Sequence, residues 1–271
     1  MQNGYYAATG AMVTQFNKLN VISNNLANVN SVGFKRDDVV IGDFKRIFQE
    51  AQENLPIKNH TKEGAAYLNA TLDRVPQVSE QFVEFQAGAL KSTGNTLDFA
   101  LKRADLFFVV ETPSGLALTQ NGSFVLNEKG ILATKEGYPV LPSTYFQNKQ
   151  YITLDIENSL SVDQSGNIFS GTLADGEQAN GRFFLAQPQD IKALTKQGDG
   201  LYRFEDVTQI QDLQNADAIA QGFLEMSNVS AIREMTALIE AQRMVEMYQK
   251  VMTTHMNDVN SDAITKLAAK A

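Results

Sequence analysis

The chain contains no cysteine. This excludes disulfides, cysteine-based zinc sites and thiol catalysis together. Histidine is scarce. His60 and His255 lie in unrelated segments without the HxxxH or HExxH spacing of a metal site, and His255 reads as a packed or rim side chain. Positive charge is in deficit, with 23 Lys and Arg against 31 Asp and Glu and a net charge of −8. Phosphate binding needs a basic surface, so nucleic acid is excluded as the main partner. Lys35-Arg36 and Lys102-Arg103 read as solvated loop charges. No run approaches the roughly 20 apolar residues that span a bilayer, so no membrane insertion is expected. Residues 1–20 lack a basic start followed by an apolar core, so no cleaved signal is expected. The chain is thus expected to stay in the cytoplasm or to leave by a route that needs no such signal.

Catalytic motifs are missing in the same way. There is no GxSxG, P-loop or GxGxxG, and the GDG at 198–200 reads as a turn. The acidic pairs Asp37-Asp38 and Glu205-Asp206 read as solvated charges. The VDQSGN run at 162–167 lacks the alternate acidic ligands and terminal Glu of a calcium loop and reads as a hairpin turn. No catalytic residue, cofactor or metal ligand is assigned, and an enzyme is not expected.

What is present lies first at the two ends. Tyr5, Ala8, Met12, Leu19, Ile22, Leu26 and Val29 follow a seven-residue repeat broken only at Gln15. Leu238, Val245, Met252 and Val259 recur every seven residues, flanked by Ala241, Met244, Tyr248, Val251 and Met256. Each stretch reads as a helix with one apolar seam. Such seams find partners in each other or in neighbouring chains, which suggests an assembly component. The methionines at 226, 235, 244, 247, 252 and 256 read as adaptable helix packing. The first helix is expected from near Asn3 to Asn28, ended by Asn24, Asn25, Asn28, Asn30 and Gly33, residues that tolerate left-handed backbone angles. The last is expected from Asn228, capped by Ser227 or Asn228, to about Lys266, roughly 57 Å at 1.5 Å per residue.

Between the helices the period falls to two. Short apolar runs at 106–110, 116–118, 124–126, 131–133, 151–156, 160–162, 167–169, 183–185 and 201–204 are separated by turn signals such as Asn121-Gly122 and Gly198-Asp199-Gly200. These read as antiparallel strands. Residues 37–53 are ambiguous: Phe44, Ile47, Phe48 and Ala51 fit a helical face, whereas Val39-Val40-Ile41 prefers strand. Pro188 to Lys196 fits one short helix. The expected fold is α+β, with N- and C-terminal helices packing as a coiled-coil-like pair and a central antiparallel β-rich domain. The divisions are 1–36 (helix and Asn-rich turn of an assembly domain), 37–69 (connection), 70–225 (β-rich domain) and 226–271 (helix of the assembly domain).

Four blocks together resemble a family. ISNNLANVNSVGFKR at 22–36, GALKSTGNTLDFAL at 88–101, ALTQNGSFVLNEKGILATKEGYPVL at 117–141 and QGFLEMSNVSAIREMTALIEAQRMVEMYQKVM at 221–252 resemble, in order, segments of bacterial flagellar rod and hook proteins. The likeness is to the FlgF/FlgG branch, with the proximal rod type ahead of the distal type or another axial, hook-like component. The resemblance implies export through the flagellar type III apparatus without a cleaved signal, and polymerisation into a torque-transmitting tube in the periplasm. It implies terminal helices forming the inner wall, and as partners copies of the same chain and other axial proteins. On that reading Met12, Leu19, Ile22, Leu26, Leu238, Val245, Tyr248, Met252 and Val259 form the assembly interface, and Asn25, Asn28, Asn30 and Gly33 form a structural turn. A cytoplasmic coiled-coil binding module and a wall-glycan enzyme are the competing readings.

Overall fold

The computed structural model describes residues 2–43, 76–154, 159–171, 178–204, 210–213 and 217–268. Among these, the chain divides into two compact units. A helical unit holds residues up to Ala27, Asp37–Phe82 and the chain from Ser230 onward. A β-rich unit holds Asn28–Arg36 and Val83–Val229. The compact units divide after Ala27, Arg36, Phe82 and Val229.

The helical unit contains α1 (Gln2–Ala27) and α2 (Ala231–Ala268). A two-stranded sheet of β1 (Asp37–Asp43) and β2 (Pro76–Val83) follows α1 in sequence. Strand wins at 39–41 because Val-Val-Ile is β-branched throughout; Phe44, Ile47, Phe48 and Ala51 lie outside the described residues, as does His60. Helix α2 begins three residues later than expected. Its first turn carries Ser230, whose carbonyl accepts from Glu234 N at 3.0 Å. Ser227 Oγ instead accepts from Val229 N, and Asn228 is engaged in the β-rich unit.

In the β-rich unit the strands are β3 (Leu90–Ser92), β4 (Phe99–Leu101), β5 (Phe107–Thr112), β6 (Gly115–Thr119), β7 (Phe124–Leu126), β8 (Leu132–Thr134), β9 (Ser159–Val162), β10 (Asn167–Gly171), β11 (Gln178–Arg182), β12 (Leu185–Pro188), β13 (Thr195–Lys196), β14 (Leu201–Arg203), β15 (Ile210–Asp212), β16 (Ile219–Gln221) and β17 (Phe223–Glu225). The largest sheet has the order β13-β14-β6-β5-β12-β15, and β9, β10 and β11 form a second. Strands β16 and β17 return from late in the chain to pair antiparallel with β4 and β3. Residues 151–154, expected as strand, are extended with a single bridge between Thr153 and Ile131. Residues 188–196 form a 3-10 turn, Ile191–Ala193, then β13 rather than one helix.

Strand β5 is buried from Phe107 to Val110, so its alternating side chains feed two cores. One holds Phe99, Phe108, Phe124 and Phe183 with rings 5.1–6.4 Å apart. The other holds Phe107, Leu118, Leu141 and Tyr202. The turn at 163–167 is the hairpin expected. Asp163 Oδ1 accepts from Ser165 N and Asn167 N, and Oδ2 accepts from Asn167 Nδ2, at 2.7–2.9 Å. Strand β9 ends against a side chain: Gln221 Oε1 accepts from Val162 N at 2.9 Å, and its Nε2 donates to Leu160 O at 3.0 Å.

Candidate assembly surface

Helices α1 and α2 run antiparallel. Thr9 Oγ1 lies 3.4 Å from Met252 Sδ, and Asn25 Nδ2 lies 3.4 Å from Glu234 Oε2. Alternating steps of four and three along α2 pick out Glu234, Leu238, Ala241, Val245, Tyr248, Met252 and His255, the spacing of a helix seam. Glu234, Ala241 and Val245 are buried, and Leu238, Tyr248, Met252 and His255 are half-buried. Facing residues on α1 include Ala8, Ala11 and Ile22, all buried, with Met12, Leu19 and Leu26 half-buried. Small side chains at Ala8, Ala11 and Ala241 let the two backbones approach. Val259 is on α2, but its side chain lies outside the described residues. Tyr5, Val251 and Met256, grouped with the seams by spacing, are exposed.

A second apolar stripe lies on the other side of α2. Ile232 is 81% exposed, and Met235, Ile239 and Met247 are 50–53% exposed. Ile232 precedes Ala241 by nine residues, about two and a half turns at 3.6 residues per turn, which turns it to the opposite face. Val13 and Phe16 give α1 an exposed apolar face of its own. The seam is thus occupied within one chain, while a further stripe remains uncovered.

The residues assigned to a turn have different roles. Asn25 is fully buried in the last turns of α1. Its Nδ2 donates to Asp37 O at 2.8 Å and its Oδ1 accepts from Asp37 N at 2.9 Å, so the amide pairs with β1 as a strand would. Asp37, read as a solvated charge, is buried, and its carboxylate accepts from Asn24 Nδ2. Asn28 does form a turn: its carbonyl accepts from Ser31 N at 3.1 Å. Asn30 is exposed. Gly33 has φ +66°, and a Cβ there would fall 2.6 Å from Asn121 N.

Lys35 corrects the reading of residues 35–36 as solvated loop charges. It is 1% exposed, and its Nζ donates to Glu225 Oε1 at 2.6 Å and Gln86 O at 2.8 Å. Glu225 Oε1 also accepts from Gly88 N, and Glu225 O accepts from Gly33 N. Arg36 N donates to Asn228 Oδ1, while Asn228 Nδ2 donates to Glu84 O and Gln86 O. Lys196 Nζ covers the Phe34 ring at 3.7 Å and donates to Lys35 O. Segments 33–36, 84–88 and 225–228 are therefore tied by side chains far apart in sequence. A Cβ at Gly88 would lie 1.9 Å from Met226 O, so this approach requires glycine. By contrast, Lys102 and Arg103 are partly exposed and pair with Asp217 and Asp105.

A cavity of about 200 Å³ is lined by Val109, Leu116, Phe146, Phe184, Phe204 and Ile210, all apolar. Nearby, Tyr145 and Tyr151 donate to Glu111 Oε2 at 2.9 and 2.6 Å. The bond to Glu111, then the neighbouring Tyr145 and burial, hold the Tyr151 hydroxyl proton well above the usual phenol range. Among the described residues no group of three acidic or histidine side chains is placed to hold a metal.

Three family models match the chain. "Flagella basal body rod protein" covers residues 6–35, "Flagellar hook protein FlgE/F/G D1 domain" covers 104–170, and "Flagellar basal body rod FlgEFG protein C-terminal" covers 220–257. Among curated proteins, the chain is 32% identical to the flagellar basal-body rod protein FlgF of Caulobacter vibrioides, over 93% of both chains. It is 33% identical to the rod protein FlgG of Bacillus subtilis, over 94% of this chain and 95% of that one. It is 31% identical to the FlgF of Rhizobium meliloti, over 90% and 89%.

Proposed function

This chain belongs to the family of FlgF/FlgG-type flagellar basal-body rod proteins, and from that premise we propose that it polymerises through its paired terminal helices into the rod that carries motor torque. As a member of this family it is a structural subunit, and it assembles with other flagellar axial components. The observation that carries the helical route is the stripe of Ile232, Met235, Ile239 and Met247 opposite the occupied seam. Met235, Ile239 and Met247 are already about half covered, so burying each against a neighbour returns on the order of 1 kcal/mol, and the more exposed Ile232 returns more. Repeated along a helix of 38 residues, such contacts hold a subunit in a polymer. Met12, Leu19, Ile22, Leu26, Leu238, Val245, Tyr248 and Met252 then act at one remove, by fixing the helix pair that presents the stripe.

Within the family we place the chain at the proximal rod, as FlgF. The likeness to the Caulobacter FlgF, 32% identical over 93% of both chains, supports that reading. The likeness to the Bacillus FlgG supports the distal rod as the second reading. Export through the flagellar type III apparatus and residence in the periplasm complete the proposal. The described residues contain no helix long and apolar enough to cross a membrane, which fits that route.

Two measurements test these readings. Labelled subunits located in purified basal bodies should lie at the proximal end; a distal position would exchange FlgF for FlgG. Ile239→Asp should leave the soluble subunit's thermal melt unchanged and abolish incorporation into basal bodies. Wild-type incorporation of that variant would remove the stripe from the interface.

A further inference from the structure

We propose that the β-rich unit closes in a single step that requires both ends of its chain, with the buried Lys35–Glu225 pair as the latch. The partners are 190 residues apart in sequence and almost wholly buried. Neither has a low-cost position alone. Docking residues 33–36 before Glu225 arrives would bury an ammonium without its counter-charge, and the reverse order would bury a carboxylate without its own. Partly closed forms are therefore penalised from both sides.

The surrounding backbone shares this dependence. Gly33 N and Gly88 N both donate to Glu225, through its carbonyl at 2.8 Å and its carboxylate at 2.6 Å. Arg36 N donates to the Asn228 side chain, Met226 N to Ala89 O, and Thr93 N to Gly222 O. Strands β16 and β17 supply the only described partners of β4 and β3 within their two-stranded sheets. Two distant segments must meet before any of these bonds forms, so loop closure opposes them until the chain is complete. An incomplete chain thus keeps its β-rich body open. This goes beyond the rod assignment and does not rest on it, because closure is a property of the isolated chain.

Native-state hydrogen exchange on the full-length chain tests it. In the wild type, the amides of Gly33, Arg36 and Gly88 should exchange in the same global opening as Val109 and Leu118 at the centre of the sheet. Their rates should agree within about tenfold, as for one cooperative unit. In the double variant K35M/E225L, which removes both charges, Gly33 and Arg36, whose acceptors at Glu225 O and Asn228 Oδ1 both remain, should exchange at least about a hundredfold faster than Val109, as a separate local opening. Wild-type latch amides that exchange far ahead of a protected β5–β6 core would overturn the proposal. So would a double variant that keeps all these amides in one opening.

Discussion

Replacing Gly33 by alanine separates two costs that usually arrive together. Gly33 has φ +66°, where an L-residue pays about 1–2 kcal/mol. Its added Cβ would also stand 2.6 Å from Asn121 N and Gln120 C, and 2.7 Å from Gln120 O. These are backbone atoms that no rotamer change can move, so overpacking adds about 1–3 kcal/mol. Gly94 is the internal control. It has φ +71° but nothing within 4 Å of its Cβ position, so Gly94→Ala should cost the conformational part alone. Summed, Gly33→Ala should destabilise the β-rich unit by about 2–5 kcal/mol, a fall of roughly 4–20 °C in melting temperature for a unit of this size. Gly94→Ala should cost about 1–2 kcal/mol. The chain has no tryptophan, so the reporter is near-ultraviolet circular dichroism of buried Tyr202, whose ring lies 5.3 Å from Phe85 and 5.7 Å from Phe107. Equal shifts in the two variants would refute the close approach of residue 33 to the 120–121 backbone.

Three further outcomes follow from the same geometry. Val245→Asp should lower the melting temperature of the soluble helical unit, because the site is buried against α1 within one chain and an unpaired carboxylate there costs several kcal/mol; an unchanged helical melt would place Val245 outside the seam. Asn25→Ala should cost about 2–4 kcal/mol by removing the partner of both backbone groups of Asp37, read by urea titration of the helical signal. Burial raises the Asp163 pKa, but hydrogen bonds from Asn167, Ser165 and Gly166 outweigh it and leave the value below 3.8. Its stabilising contribution is present above that pH and lost as pH falls through the lower folded value. The stability gap between wild type and Asp163→Asn should therefore close in acid, and a gap that does not change with pH would contradict this.

Periodicity made the helices and most strands legible, since the repeats of seven and two report which faces are apolar. It did not say where a seam finds its partner. Val245 has the same spacing whether it meets α1 of its own chain or a neighbour, and Met235 and Met247, which read as helix packing, lie half exposed on the stripe through Ile239. Lys35 was illegible for a different reason. A lysine beside an arginine in a Gly- and Asn-rich stretch reads as loop charge, and nothing nearby announces a carboxylate 190 residues away. Asp37 misled in the same way, because its partners at Asn24 and Asn25 look like helix-ending residues. The onset of α2 moved to Ala231 because Asn228, an equally good cap by type, bonds residues 36, 84 and 86 instead.

The Gln221 side chain has a consequence for a protein that works at very high local concentration. An unpaired strand edge is a template on which an identical chain can add, and crowding many copies together invites runaway pairing. At β9 the Gln221 amide offers the same acceptor and donor that a visiting strand would bring, and so occupies Val162 N and Leu160 O first. The outer strands of the large sheet, β13 and β15, are only two and three residues long, too short to nucleate such growth. These three edges are therefore closed to a visiting strand, by a side chain at β9 and by length at β13 and β15.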